Sequence, residues 1–146
     1  MKVHRISRNI MVVALLLGLS GCASTKVIKS PKADLKTLKK FYVVKWAEDT
    51  KDINLVIVDQ VSLLGFKTET GSDQDAIGAD CDALVTYQDY WMWDITTYLL
   101  RLNLQIRDPK TNAVIAQGES YRPSLQRQHP EFMAREILEG ILPVAK

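Results

Sequence analysis

The sequence predicts an α+β domain: a single mixed or antiparallel sheet of four to five strands with two helices on one face. Three observations predict it. Residues 98–107, YLLRLNLQIR, alternate with period two. Leu100, Leu102, Leu104 and Ile106 face one way and Leu99, Arg101, Asn103, Gln105 and Arg107 the other, the pattern of a half-buried strand. Residues 52–64 and the run between Pro130 and Pro143 instead space their apolar side chains as helices do. Turn residues separate these runs, most clearly at Asp108-Pro109-Lys110-Thr111-Asn112. The length of 146 residues suits one domain whose core folds unaided, and no internal repeat is visible.

Taken in order, Phe41-Tyr42-Val43-Val44-Lys45 is β-branched and aromatic and reads as the first strand. In 52–64, Ile53, Val56, Ile57, Val61 and Leu64 share a helical face. Asp49 or Thr50 is placed to cap the start, and Gly65 suits the left-handed position after the end. Phe66 to Thr70 alternates as a short strand, and residues 71–82, GSDQDAIGADCD, read as an acidic loop. Ala83 to Tyr87 returns to strand, 98–107 follows, and Val114 to Tyr121 is the strand after the turn. Residues 122–129 form a loop. Pro130 opens the last helix at its favoured first position, with Phe132, Met133, Ile137, Leu138 and Ile141 as the apolar stripe, and Pro143 ends it.

The N-terminus is read separately. Lys2, Arg5 and Arg8 precede an uncharged run from Ile10 to Leu19. The run is too short for a bilayer, which needs about 20 apolar residues, and its order is that of a secretory signal peptide. Leu19-Ser20-Gly21-Cys22 follows and resembles the lipobox of bacterial lipoproteins. The resemblance implies cleavage before Cys22, a diacylglycerol on its sulfur and an acyl chain on the new amine. Ala23 and Ser24 follow the cysteine, with no Asp at the first of these positions. That resembles cargo sorted to the outer membrane and facing the periplasm. Residues 1–21 are thus expected as signal peptide, 22–40 as lipidated N-terminus and lysine-rich tether, and 41–146 as a single globular periplasmic domain.

The formal charge of +2 averages unlike parts. Residues 26–45 hold seven lysines against Asp34 alone, residues 46–100 hold eleven acids against Lys51 and Lys67, and residues 101–146 hold seven bases against five acids. From Cys22 onward there are 16 basic and 17 acidic side chains. A lysine-rich tether beside the lipid would solvate the linker and attract an anionic surface. The acidic body excludes nucleic acid as a partner.

Few residues carry chemistry. Tyr87, Tyr90, Trp91, Trp93 and Tyr98 crowd into twelve positions with Asp89 and Asp94 among them. Exposed Trp and Tyr act as contact hot spots or sugar-stacking rings, so Tyr90, Trp91, Trp93 and Asp94 are the candidate partner- or ligand-binding residues. The bland alternative is that these rings cover the sheet or brace a hairpin. Trp91-Met92-Trp93-Asp94, with the strand and turn that follow and Leu63-Leu64-Gly65-Phe66 upstream, is similar to small Gram-negative lipoproteins that carry a W-x-W-D motif before a long hairpin. That resemblance implies location and fold, and brings no activity with it.

Asp73, Asp75 and Gly78 match part of a calcium-binding loop, but Ile77 and Leu84 stand where oxygen ligands are needed, which excludes an EF-hand. Asp73, Asp75, Asp80 and Asp82 could form only an improvised site, and no metal is expected. Cys81 reads as a small buried side chain or an intermolecular disulfide partner. His129 is the one histidine after the signal, and no nucleophile, phosphate-loop or zinc motif occurs. The function expected is a membrane-anchored, non-catalytic accessory lipoprotein of the cell envelope, acting through an envelope protein partner, with no cofactor beyond the lipid on Cys22. The alternatives are a glycan or peptidoglycan-fragment module built on Trp91 and Trp93, and, behind it, a carboxylate-dependent hydrolase using Asp89 or Asp94.

Overall fold

The computed structural model describes residues 22–76 and 78–143. The signal segment expected over 1–21, and with it Leu19, Ser20 and Gly21 of the lipobox, lies outside the described residues. Six strands form one mixed sheet: β1 (Ser24–Lys29), β2 (Lys40–Val44), β3 (Lys67–Gly71), β4 (Ala83–Asp94), β5 (Thr96–Arg107) and β6 (Val114–Tyr121). Their order is β1-β6-β5-β4-β2-β3. The four strands from β1 to β4 pair antiparallel, while β2 runs parallel to both β4 and β3. Among the described residues three α-helices accompany the sheet, α1 (Ile53–Leu63), the single turn α2 (Asp73–Ala76) and α3 (Pro130–Ile141), with a short 3-10 turn at Ser124–Gln126.

The α+β class with one mixed sheet is as the sequence predicts. Six strands and three helices replace the four to five strands and two helices expected. The sixth strand is β1, which lies where a tether was expected. Thr25, Val27 and Ile28 give it strand character, and it pairs along β6 from Ser24↔Tyr121 to Lys29↔Ala116. Its lysines suit its place at the sheet edge, where charge discourages pairing with a second chain. The folded unit therefore begins at Ser24 and not at residue 41.

The core lies between the sheet and the pair α1 and α3. Ile53, Ile57 and Val61 from α1 and Met133, Ala134, Ile137, Leu138 and Ile141 from α3 meet Phe41, Val43, Val85, Leu102, Leu104 and Ile106. Gly65 ends α1 in the left-handed conformation, φ 93°, as read from the sequence. Phe132 does not join the α3 stripe. It stays 47% exposed beneath the Arg122 guanidinium, one position off the face that Met133 and Ile137 define.

The alternation of 98–107 holds only from residue 101 onward. A bulge sets Tyr90 opposite Arg101 but Trp91 opposite Leu99, leaving Leu100 as the extra residue. Leu99, and not Leu100, is therefore the buried one, at 1% exposure. One inserted residue reverses the facing of every side chain before it.

The acidic loop contains α2, whose start is a reciprocal cap. Asp75 N–H donates to Ser72 Oγ (3.2 Å) and Ser72 N–H to Asp75 Oδ2 (3.1 Å). Ala76 packs on Tyr42 and Val44. Since these alternate with Phe41 and Val43 along β2, α2 covers the opposite face of the sheet from α1 and α3, and only over β2. From β1 to β4 that face is open.

At the edge of the core, Gly118 on β6 lets α3 close onto the sheet. A Cβ there would collide with Ile137 Cγ2 and lie 3.2 Å from the Lys26 carbonyl. Gly118→Ala is expected to cost roughly 1–3 kcal/mol through overpacking, seen as a lower midpoint in denaturant with an unchanged slope.

Candidate functional site

The β4–β5 ribbon carries the candidate residues, and it projects past its neighbours. The β6 pairing ends at Arg101↔Tyr121, and β4 and β5 continue alone through Asp94↔Thr96 around Ile95. A bare two-stranded ribbon is marginal in water. Here the segment after β6 braces it. Arg122 N–H donates to the Leu100 carbonyl at 2.8 Å. Arg127 donates to the Asp94 carbonyl and Thr96 Oγ1, both at 2.6 Å, and its guanidinium stacks 4.3 Å from the Tyr98 ring centroid.

Asp94 belongs to this brace. Its carboxylate accepts a hydrogen bond from Ser124 Oγ and pairs with Arg127 at 3.3 Å. Trp91 is half-buried against the core, with its indole N–H donated to Asp89 Oδ2 at 2.5 Å and Lys51 Nζ 5.7 Å over its ring. Trp93 is 75% exposed. Tyr90 turns to the open sheet face, where its hydroxyl donates to Gln88 Oε1 at 3.2 Å. The four candidates thus share one hairpin but not one site. Trp91 and Trp93 do not form a matched pair of open rings, and Asp89 and Asp94 lie on opposite faces of β4.

Beneath Trp91 lies a buried polar cluster that sequence reasoning missed. Tyr87 Oη donates to Asp49 Oδ2 at 2.5 Å, and Asp49 also accepts the N–H groups of Lys51 (2.8 Å) and Asn54 (3.3 Å). Asp49 thus caps the turn entering α1, although Asp52, at φ 55°, is the boundary residue. Burial alone would raise the Asp49 carboxyl. The hydrogen bond from Tyr87 and those from the backbone outweigh it and hold the carboxyl below the usual aspartate range. Burial drives Asp89 the other way, helped by the Asp49 charge and opposed by the Trp91 hydrogen bond. Burial and the Asp49 contact push the Tyr87 hydroxyl well above its usual value.

Three of the four acids of the improvised calcium site are committed to structure. Asp80 pairs with Lys40, Asp82 Oδ2 accepts the N–H groups of Lys39 and Lys40 (2.8 and 2.9 Å), and Asp75 caps α2. Ile77, which breaks the calcium-loop pattern, lies outside the described residues. Among those described, no group of three or more metal-ligating side chains converges. Cys81 is half-buried against Tyr42 and Val44, and burial followed by the Asp82 and Asp80 charges raises its thiol, which opposes a reactive role.

The second surface feature is the open face of the sheet. Register sets Gln88 opposite Asn103, Asn103 opposite Glu119, and Gln105 opposite Gln117. With Lys26, Ile28 and Arg107 these line an open trough of about 840 Å³. Arg107 donates to Gln105 Oε1 (2.6 Å) and the Asn112 carbonyl (3.0 Å).

No protein-family model and no curated protein matches the chain. Its fold is similar to that of PelC from Paraburkholderia phytofirmans, crystallised as a dodecamer. The TM-score is 0.64 at 10% identity, covering 86% of this chain and 100% of that one. A variant PelC dodecamer from the same organism gives 0.59 at 10% identity, covering 82% and 95%. At this identity the likeness is one of fold.

The polar cluster yields a pair of tests with opposite signs. Tyr87→Phe removes the shortest hydrogen bond to the buried Asp49 carboxylate, leaving the Lys51 and Asn54 N–H groups, and is expected to lower stability by about 1–3 kcal/mol. Asp89→Asn keeps an acceptor for Trp91 and removes a buried charge. A carboxyl raised by folding loses stability as pH climbs from the ordinary aspartate value through the raised one. Asp89→Asn should therefore melt higher than the parent at pH 7, and the gap should close on acidification. Thermal melts across that range check it, and an unchanged gap would refute it.

Proposed function

We propose that the chain is a lipid-anchored, non-catalytic accessory protein of the cell envelope, held on the periplasmic face of the outer membrane by lipid on Cys22 and acting by contact with another envelope protein. The observation that supports it best is the open face of the sheet. From β1 to β4 no described element covers it, and it presents a ladder of amides with two arginines, a lysine and the exposed Ile28. Such a mixed polar surface with an apolar point suits a reversible protein contact. Cys22 is exposed at one end of the sheet, so anchoring there leaves the face free along its length. Among the described residues, no helix is long and apolar enough to cross a membrane.

The other readings have less support. The glycan platform expected uses both indoles, and Trp91 is committed to Asp89, Lys51 and the core. Hydrolysis by paired carboxylates needs both in one cleft, which opposite strand faces deny to Asp89 and Asp94.

Two measurements test the proposal. Cys22→Ala should abolish fatty-acid labelling, and persistent labelling would overturn the anchor. A photo-crosslinking residue at Gln105 or Gln117 in cells should trap the same discrete protein species, absent when the crosslinker replaces Leu63, which is 70% exposed on the helix side. Identical adducts from both faces, or none, would overturn the contact surface.

A further inference from the structure

We propose that the tip of the β4–β5 hairpin, with Leu125 beside it, is a second membrane contact that seats in the headgroup region of the bilayer holding the Cys22 lipid. This rests on the reading of Cys22 as lipidated. Topology places the two together. β1 runs antiparallel to β6, so its first residue lies at the end of the sheet where β6 stops and the ribbon projects. Ala23 N–H donates to Gln126 Oε1 at 2.8 Å, next to Leu125. Strand begins at Ser24, so at most about 7 Å of chain separates the lipid-bearing residue from the sheet. An anchor that short holds the tip at the bilayer surface.

The tip has the side chains for it. Trp93 is 75% exposed, Ile95 86% and Leu125 91%. Exposed apolar groups clustered at one end of a molecule mark a contact surface. Ile95 adds an independent argument. It sits at the turn with φ 62°, a conformation that glycine or asparagine adopts easily and a β-branched residue only under strain. Both the strain and the exposure count against an isoleucine in water.

Behind the apolar tip lie four cations over aromatic rings. Arg127 lies over Tyr98 (4.3 Å), Arg122 over Phe132 (5.5 Å), Arg101 over Tyr121 (5.6 Å) and Lys51 over Trp91 (5.7 Å). Aromatic rings with Arg or Lys are the composition of a membrane–water interface. Asp94, the acid at the tip, is neutralised by Arg127. The lysine-rich stretch plays no part in this contact. β1 carries the chain away from Cys22, leaving Lys29 about 20 Å off, and Lys40 precedes Phe41, which pairs with Ala83 at the far end of β4 from the tip.

The test uses the full lipidated protein in phosphatidylethanolamine–phosphatidylglycerol vesicles containing lipid brominated close to the headgroup. Tryptophan emission should be blue-shifted and quenched, and Trp93→Tyr should remove most of the quenching while Trp46→Phe leaves it. Ile95→Asn should reduce the quenching of Trp93 while the protein melts no lower than the parent, which separates membrane seating from folding. Fatty-acid labelling is measured on the same samples. Labelled protein with unquenched Trp93 would overturn the tip contact and leave the anchor standing, whereas loss of labelling would strike the anchor itself. A hairpin crosslinked to protein and shielded from bromolipid would make the tip a protein-binding surface and overturn the proposal.

Discussion

A two-stranded ribbon that outruns its sheet has to be held by something other than neighbouring strands, and in this protein Arg127 holds it. One guanidinium reaches the Asp94 carbonyl, Thr96 Oγ1 and the Ser124 hydroxyl, and covers Tyr98. The planar fork can make several such bonds from one rigid group. Because residues 122–127 are spent on this brace, they bring Leu125 and Gln126 alongside the tip. Gln126 in turn receives the start of β1. The position of Cys22, the projection of the hairpin and the end of the sheet that bears apolar side chains all follow from that one clasp.

A second set of contacts locks the helical layer to the same end. Two hydrogen-bonded pairs, Tyr87 with Asp49 and Trp91 with Asp89, lie between the turn before α1 and the base of the ribbon, while Glu136 on α3 accepts from Ser120 at 2.5 Å and pairs with Arg122. Buried polar groups of this kind destabilise unless partnered. Asp49 accepts from Tyr87 Oη and the N–H groups of Lys51 and Asn54, and its carboxyl is held below the usual aspartate range. Asp89 Oδ1 accepts no hydrogen bond from another described residue, and its carboxyl is pushed up accordingly. The two acids differ in environment, not in type.

Much of the framework was legible because it depends on local periodicity. The limits of β6 and the start of α3 at Pro130 are those the sequence predicts, and α1 differs by a residue at its ends. Legibility failed where a distant partner overrode the local signal. β1 reads as lysine-rich linker because its strand character is satisfied only by β6, more than 80 residues on. Leu99 and Leu100 exchange roles because a bulge is a property of two strands together. Phe132 looks like core by composition and is excluded by one position of helical rotation. The aromatic cluster was visible as a group, yet no local rule could say that Trp91 would be half-buried and Trp93 left open.

The sequence by itself determined the α+β class, the helices α1 and α3 and the strands from β2 to β6, since each rests on residue type or on short-range spacing. Only the tertiary structure decided that the chain after Cys22 is strand and not tether, which end of the sheet the cysteine occupies, and that the hairpin tip, Leu125 and Cys22 stand together. These depend on strand order and on contacts between residues about a hundred positions apart, such as Ala23 with Gln126. Neither strand order nor such contacts leave a periodic trace along the chain.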